Sequence, residues 1–150
     1  MSQPTVAIAY PVPVTASWSA RLPHGYARIG ISRGPPRGQR GYRMYHALAP
    51  GPWFRSASEV EFCALYLAQL DGLNPNHVVH ELAALAGGMI PALLCFERPP
   101  PDPAWCHRGL VAGWLYDQLG IEVREVGHEH LGGGWSHPKL PPGRHLERQH

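Results

Sequence analysis

The chain has 150 residues, a formal net charge of +2, and 44% apolar against 16% charged side chains. That length supports one domain with a real core, and that balance excludes a highly charged disordered chain. No apolar run reaches the roughly 18–20 residues of a membrane span. Met1-Ser2-Gln3-Pro4 lacks the basic start of a signal peptide, so a cytoplasmic protein without a membrane partner is expected.

Glycine and proline stand at 17 each, so long loops are expected. Residues 5–9, Thr-Val-Ala-Ile-Ala, suit a short strand stopped by Pro11 and Pro13. Residues 26–32 make a better one, with Ile29 and Ile31 on one face. The run Arg-Gly-Pro-Pro-Arg-Gly-Gln-Arg-Gly at 33–41 is a loop, because it suits neither a strand interior nor a helix.

Ser58 with Glu61 spells a capping box. The apolar helix behind it carries Val60, Phe62, Cys63, Leu65, Tyr66, Leu67 and Leu70 and ends near Asp71-Gly72. Asn74-Pro75 opens a second helix with a stripe of Val78, Val79, Leu82, Leu85 and Ala86, closed by Gly87-Gly88. Residues 91–97 read as a strand buried on both faces, as in parallel sheets. A loop with four prolines follows. From Cys106 or His107 a third helix runs to Gln118, with Leu110, Val111, Trp114, Leu115 and Leu119 inward and Gly120 as its cap. Residues 121–126 alternate as a half-buried strand.

Residues 91–126 thus form a short βαβ unit. The expected fold is α/β: a small three-layer Rossmann-like domain over residues 1–126, with a mainly parallel sheet. Residues 127–150 are rich in Gly, His and Pro without an apolar period, and are expected to form a flexible tail.

Charge is unevenly placed. Seven arginines and no acid precede Glu59, giving +7, and the rest of the chain carries −5. Such a block attracts phosphate or acidic partners; it also follows from an Arg-, Gly-, Pro- and Ala-rich composition. Arg37, Arg40 and Arg43, interleaved with Tyr42 and Tyr45, suit single-stranded nucleic acid by charge and stacking. The alternative is a solvated loop paired with the acidic half of the chain.

Cysteines number three: Cys63, Cys95 and Cys106. An odd count, without a signal peptide, argues against a disulfide framework, and no Cys-x-x-Cys pair occurs. Cys95 and Glu97 end one strand, and Cys106, His107 and Arg108 open the next helix. In a parallel sheet these positions share one rim, where ligands bind. A helix N-terminus there lowers a thiol pKa and attracts anions, and Arg108 suits a bidentate anion clamp.

Leu93-Leu94-Cys95-Phe96-Glu97 followed by Cys106-His107-Arg108-Gly109-Leu110-Val111-Ala112 resembles the signature of the DUF488 family. Arg28-Ile29-Gly30-Ile31-Ser32-Arg33 is similar to the strand and Arg-containing turn lining the same cleft in that family. The resemblance implies a Rossmann-like fold and a Cys/Glu/Cys/His/Arg pocket, with no established reaction.

Several readings of the cluster compete. In the first, the pocket binds a phosphate-bearing ligand, a nucleotide or nucleic acid: Arg33 and Arg108 clamp the anion, Cys95 and Glu97 line the site, and Cys106 is a helix-end thiol. In the second, Cys106 is a nucleophile with His107 as its base. In the third, Cys95, Glu97, Cys106 and His107 hold a metal, joined by His128 or His130. In the blandest, Cys95 is a small core residue and Glu97 pairs with Arg108 or Arg33. The first reading is preferred, and neither a resident metal nor any named cofactor is assigned. Trp53, Phe54 and Trp105 are expected at the surface, where a homodimer would cover them.

Overall fold

A computed structural model describes residues 10–38 and 43–144. The strand expected at 5–9, Arg40, and the last histidines lie outside those residues. Four strands, β1 (Val14–Ser17), β2 (Tyr26–Gly30), β3 (Arg43–Met44) and β4 (Ile90–Cys95), form an all-parallel sheet in the order β1-β4-β2-β3. The fold class is α/β, as the sequence pattern indicates.

β4 lies between β1 and β2, which explains its unbroken apolar run. Leu93 pairs in register with Thr15 on one side and Ile29 on the other. Ile29, Ile31 and Leu93 face a core shared with all three helices, α1 (Glu59–Asp71), α2 (Pro75–Ala86) and α3 (His107–Leu119). Ala16, Ala92 and Leu94 face a smaller cluster completed by Trp18, Ala20, Leu22, Met44 and Val126. The third layer is therefore thin and made of non-helical chain. Gly30 is required beneath it: a Cβ there would stand 2.5 Å from both the Trp18 ring and the Met44 sulfur.

The helix ends obey local chemistry. Ser58 accepts from the Glu61 amide while the Glu61 carboxylate accepts from the Ser58 amide, the reciprocal box. Asn74 caps α2 through the His77 amide, with Pro75 in the first turn. Gly87 and Gly120 end α2 and α3 in the left-handed region, where a Cβ is strained. The α1 stripe is narrower than its apolar content suggests. Phe62, Cys63, Tyr66 and Leu70 are buried, whereas Val60 is 77% exposed.

One expectation is corrected, and two features go beyond the sequence reading. Residues 121–126 do not form a full strand: Thr15 and Glu125 make one parallel bridge, and Arg124 and Gly133 one antiparallel bridge. Two short parallel strands, β1 and β3, had no pattern long enough to reveal them. The segment after residue 127 is packed as far as 141, through 3₁₀ turns at Glu129–Leu131 and Gly134–Ser136 and the buried His137, Lys139 and Leu140.

That segment explains α3. Its residues 107–115 are all buried, because the helix has chain on every side. A Cβ on Gly109 would lie 2.5 Å from the Lys139 carbonyl carbon, and one on Gly113 2.7 Å from the Trp135 ring. Two glycines four apart on one face thus make the groove in which the segment lies.

Candidate functional site

β4 ends at Cys95 and α3 begins after Cys106, so the sheet topology brings both to one rim. A cleft of about 730 Å³ opens there. Its floor is Cys95, Cys106 and His107, and its walls include Ser32, Arg33, Phe54, Arg55, Phe62, Phe96, Glu97 and Trp105.

Cys95 and Cys106 are joined as a disulfide, and Cys63 is the free thiol, buried elsewhere in the core. This corrects the expectation of three unpaired cysteines. The convergence that puts both residues in one cleft also puts their sulfurs in contact. Count and spacing do not encode that, because the meeting is made by the sheet and not by the intervening loop.

His107 has a defined tautomer. Its Nε2 lies 2.7 Å from the Ile31 carbonyl, which only accepts, so Nε2 carries the proton. Nδ1 then presents a lone pair 3.6 Å from Cys106 Sγ. The ring packs edge-on to Tyr66 at 5.4 Å between centroids. Burial, with a smaller push from the Arg108 charge and against the Ile31 bond, lowers its pKa from 6.5 to about 4. His107 is a neutral lone-pair donor at neutral pH.

Arg108 does not line the cleft. It is fully buried, and its Nε and Nη2 donate to the two oxygens of Glu125 at 2.9 and 2.8 Å. Its Nη1 donates to Cys95 Sγ at 3.1 Å. The clamp expected for a bound anion is closed instead on a carboxylate of the same chain. Glu125 rather than Glu97 is the partner, and the sequence offered no means of choosing between them.

Behind Glu125 the network continues. Thr15 Oγ1 donates to Glu125 Oε1 at 2.8 Å. The Lys139 amide donates to His137 Nδ1 at 3.0 Å, so Nε2 of His137 carries a proton directed at Thr15 Oγ1, 2.6 Å away. Burial alone would raise the Glu125 pKa, but the bonds and charge of Arg108, with His137 and Thr15, hold it below the ordinary carboxylate value.

The chain's single lysine completes the frame. Lys139 Nζ donates to the Asp102 and Ala104 carbonyls at 2.8 Å each, fixing the proline-rich loop, and its own carbonyl accepts from the Cys106 amide at 2.9 Å. Thr15, Glu125, His137 and Lys139 were all missed by sequence reasoning. One signal was legible: Glu125 falls at the same parity as Ile121 and Val123, on the inward side of the alternating segment.

The rim holds the exposed cations. The guanidiniums of Arg33 and Arg55 both lie over the Phe54 ring, 5.0 and 5.2 Å from its centroid. Arg33 is further held by donation to the Pro50 carbonyl at 2.9 Å. Glu97 is half-buried and lines the cleft just after β4. Trp53 and Trp105 pack edge-on to Phe62, at 5.1 and 5.0 Å; Phe62 and Trp105 line the cleft, and Trp53 supports Phe62 from outside the lining. Arg37 and Arg43 are exposed and stand outside the cleft lining. His128 and His130 approach each other at 6.5 Å between ring centroids, away from the cysteines. Among the described residues no helix is long and apolar enough to cross a membrane.

Residues 19–115 match the model of the family described as a domain of unknown function, DUF488, and the chain belongs to that family. No curated protein matches the chain. No solved structure matches it either.

Proposed function

We propose that this member of the DUF488 family binds a compact phosphate-bearing ligand of the mononucleotide kind, with its flat part against the aromatic wall and its anion at Arg33 and Arg55. The observation that carries the reading is the pair of guanidiniums stacked on Phe54 at the cleft mouth. Arginine on an aromatic face is oriented before a ligand arrives, and a planar fork suits phosphate. The cleft volume lies within the roughly 300–1,000 Å³ of small-molecule sites. Phe62 and Trp105 offer faces and edges for a base. Arg108 serves this reading as a frame for the floor and not as a ligand contact.

Titration of the protein with AMP, adenosine and inorganic phosphate, followed by the intrinsic fluorescence of its five tryptophans, Trp105 in the cleft among them, tests it. AMP is expected to saturate, adenosine to bind far more weakly, and added salt to weaken AMP by screening the anion. Absence of saturable change with AMP and with phosphate overturns the reading. A single-stranded oligonucleotide that binds more tightly than AMP, with a steep salt dependence, would extend the same site to nucleic acid and bring in Arg37 and Arg43.

A second reading, a thiol enzyme, is favoured by the lone pair of His107 directed at Cys106 Sγ. In the reduced protein it expects iodoacetamide to modify Cys106 faster than the core residue Cys63, and AMP to protect Cys106. Equal rates would remove it.

A further inference from the structure

The floor of the cleft carries chemistry that anion binding does not use. The ligating atoms of Cys95, Cys106 and His107 lie within 4.8 Å of one another, and all three residues are buried. They come from two elements whose relative position the core fixes, so the donors are placed without any ion to gather them. We propose that, once its disulfide is reduced, this triad holds a zinc-class divalent ion, with a fourth position open to the cleft.

Four features support the assignment. Two thiolates and an imidazole are the donors that soft and borderline ions prefer. The His107 lone pair is on Nδ1, on the side of the sulfurs, while Nε2–H is fixed on the Ile31 carbonyl. A ligating histidine commonly holds its other nitrogen in this way. Arg108 donates to Cys95 Sγ, the outer bond a metal-bound thiolate accepts, and Glu125 cancels its charge. The two thiolates then balance the two charges of the ion. Finally, one side of the triad is open cleft rather than packed protein. Three protein ligands with an open fourth place is the arrangement of reactive zinc sites, whereas structural sites close all four.

The cysteines make the site conditional on redox state. Two equivalents of a thiol reductant, becoming one disulfide, break the Cys95–Cys106 bond and leave two thiols. Binding of the divalent ion then releases one proton from each sulfur. In the disulfide form neither sulfur can ligate as thiolate. The proposal goes beyond the cleft reading: that reading holds its anion at Arg33 and Arg55, the fourth position opens to the same space, and the ion is detected without any ligand.

The test uses the full chain and Co²⁺ alone. One sample is reduced with a phosphine, which takes up the oxygen of a water as it delivers two thiols; the other is left oxidised. The reduced protein is expected to take up one Co²⁺ per chain, with a thiolate-to-cobalt charge-transfer band that Zn²⁺ abolishes. The oxidised protein is expected to show no such band. Cys106→Ser and His107→Ala should each weaken uptake by more than the roughly 10–100-fold that loss of an outer-shell partner costs. Cys63→Ser should leave it unchanged. If the cysteine variants do not fold, the reduced and oxidised wild type still decide the matter. Uptake without the charge-transfer band, or equal uptake in both states, overturns the proposal and points to surface histidines such as His128 and His130. AMP titration of the oxidised, metal-free protein reports on the anion site separately, so the two ideas fail independently.

Discussion

Arg108 and Arg33 stand near the same cleft and do opposite work. Arg108 is sealed, bidentate on Glu125 and bonded to Cys95 Sγ. Arg33 is exposed, lying on Phe54 with one bond to a carbonyl. A buried charge is held by its counter-charge and is costly to unpair. An exposed charge contributes little to stability and keeps its capacity for a ligand. The pair teaches that an arginine at the rim of a parallel sheet can be closed into the frame or left open at the surface. Which it becomes depends on whether the chain supplies a carboxylate behind it.

The sharpest way to break the contrast is Arg108→Met. It leaves Glu125 buried without its partner, and should cost about 3–5 kcal/mol in urea unfolding. The double variant Arg108→Met with Glu125→Leu should recover most of that loss, because no orphan charge remains. Failure of the recovery would show that Arg108 matters through Cys95 and not through Glu125.

Next in size is Gly109→Ala, which forces a methyl onto the Lys139–Leu140 backbone. It should cost about 1–3 kcal/mol and release the C-terminal segment to limited proteolysis. Resistance equal to wild type would mean that the segment is held from its other contacts alone.

Acid gives a third handle. The Glu125 carboxyl titrates lower in the folded chain than the ordinary value of 4.5. The unfolded chain therefore binds the proton first as pH falls. This contribution is whole above pH 4.5 and disappears as pH drops through the depressed folded value. The melting temperature of wild type minus that of Glu125→Gln should shrink below pH 4.5; a constant difference would show that the carboxylate charge is not what stabilises.

The smallest effect on stability is expected for Arg33→Ala, within about 0.5 kcal/mol. The same substitution should weaken AMP roughly tenfold, the loss of one charged hydrogen bond. A variant that lost stability and kept AMP affinity would reverse the roles of the two arginines.

The legible parts of the fold were those with local rules. Ser58–Glu61, Asn74–Pro75, Gly87 and Gly120 mark helix ends through neighbours a few residues away, and all four act as their chemistry requires. β4 was legible from its apolar run: five of its six residues, Pro91 to Cys95, are buried, and the strand lies between two others. The cleft floor was legible because topology places a strand end beside the next helix start. What stayed hidden depends on partners far along the chain. Thr15 meets Glu125 and His137, more than a hundred residues on, through single hydrogen bonds without any repeating pattern. The disulfide hid for a related reason: it follows from the sheet closing, which residue counting does not register. Trp53 and Trp105, expected at the surface, are half-buried. Their packing partner, Phe62, lies on another element.

Lys139 also sets an order of events during synthesis. A chain emerging from the ribosome presents α3 well before the residues that pin the Cys106 amide, neutralise Arg108 and fix the proline-rich loop. Domains fold as units once their last required piece is available. Until Glu125 emerges, Arg108 stays hydrated and α3 lacks its final seat. The floor of the cleft therefore gains its backing only once residues 125 to 139 are available.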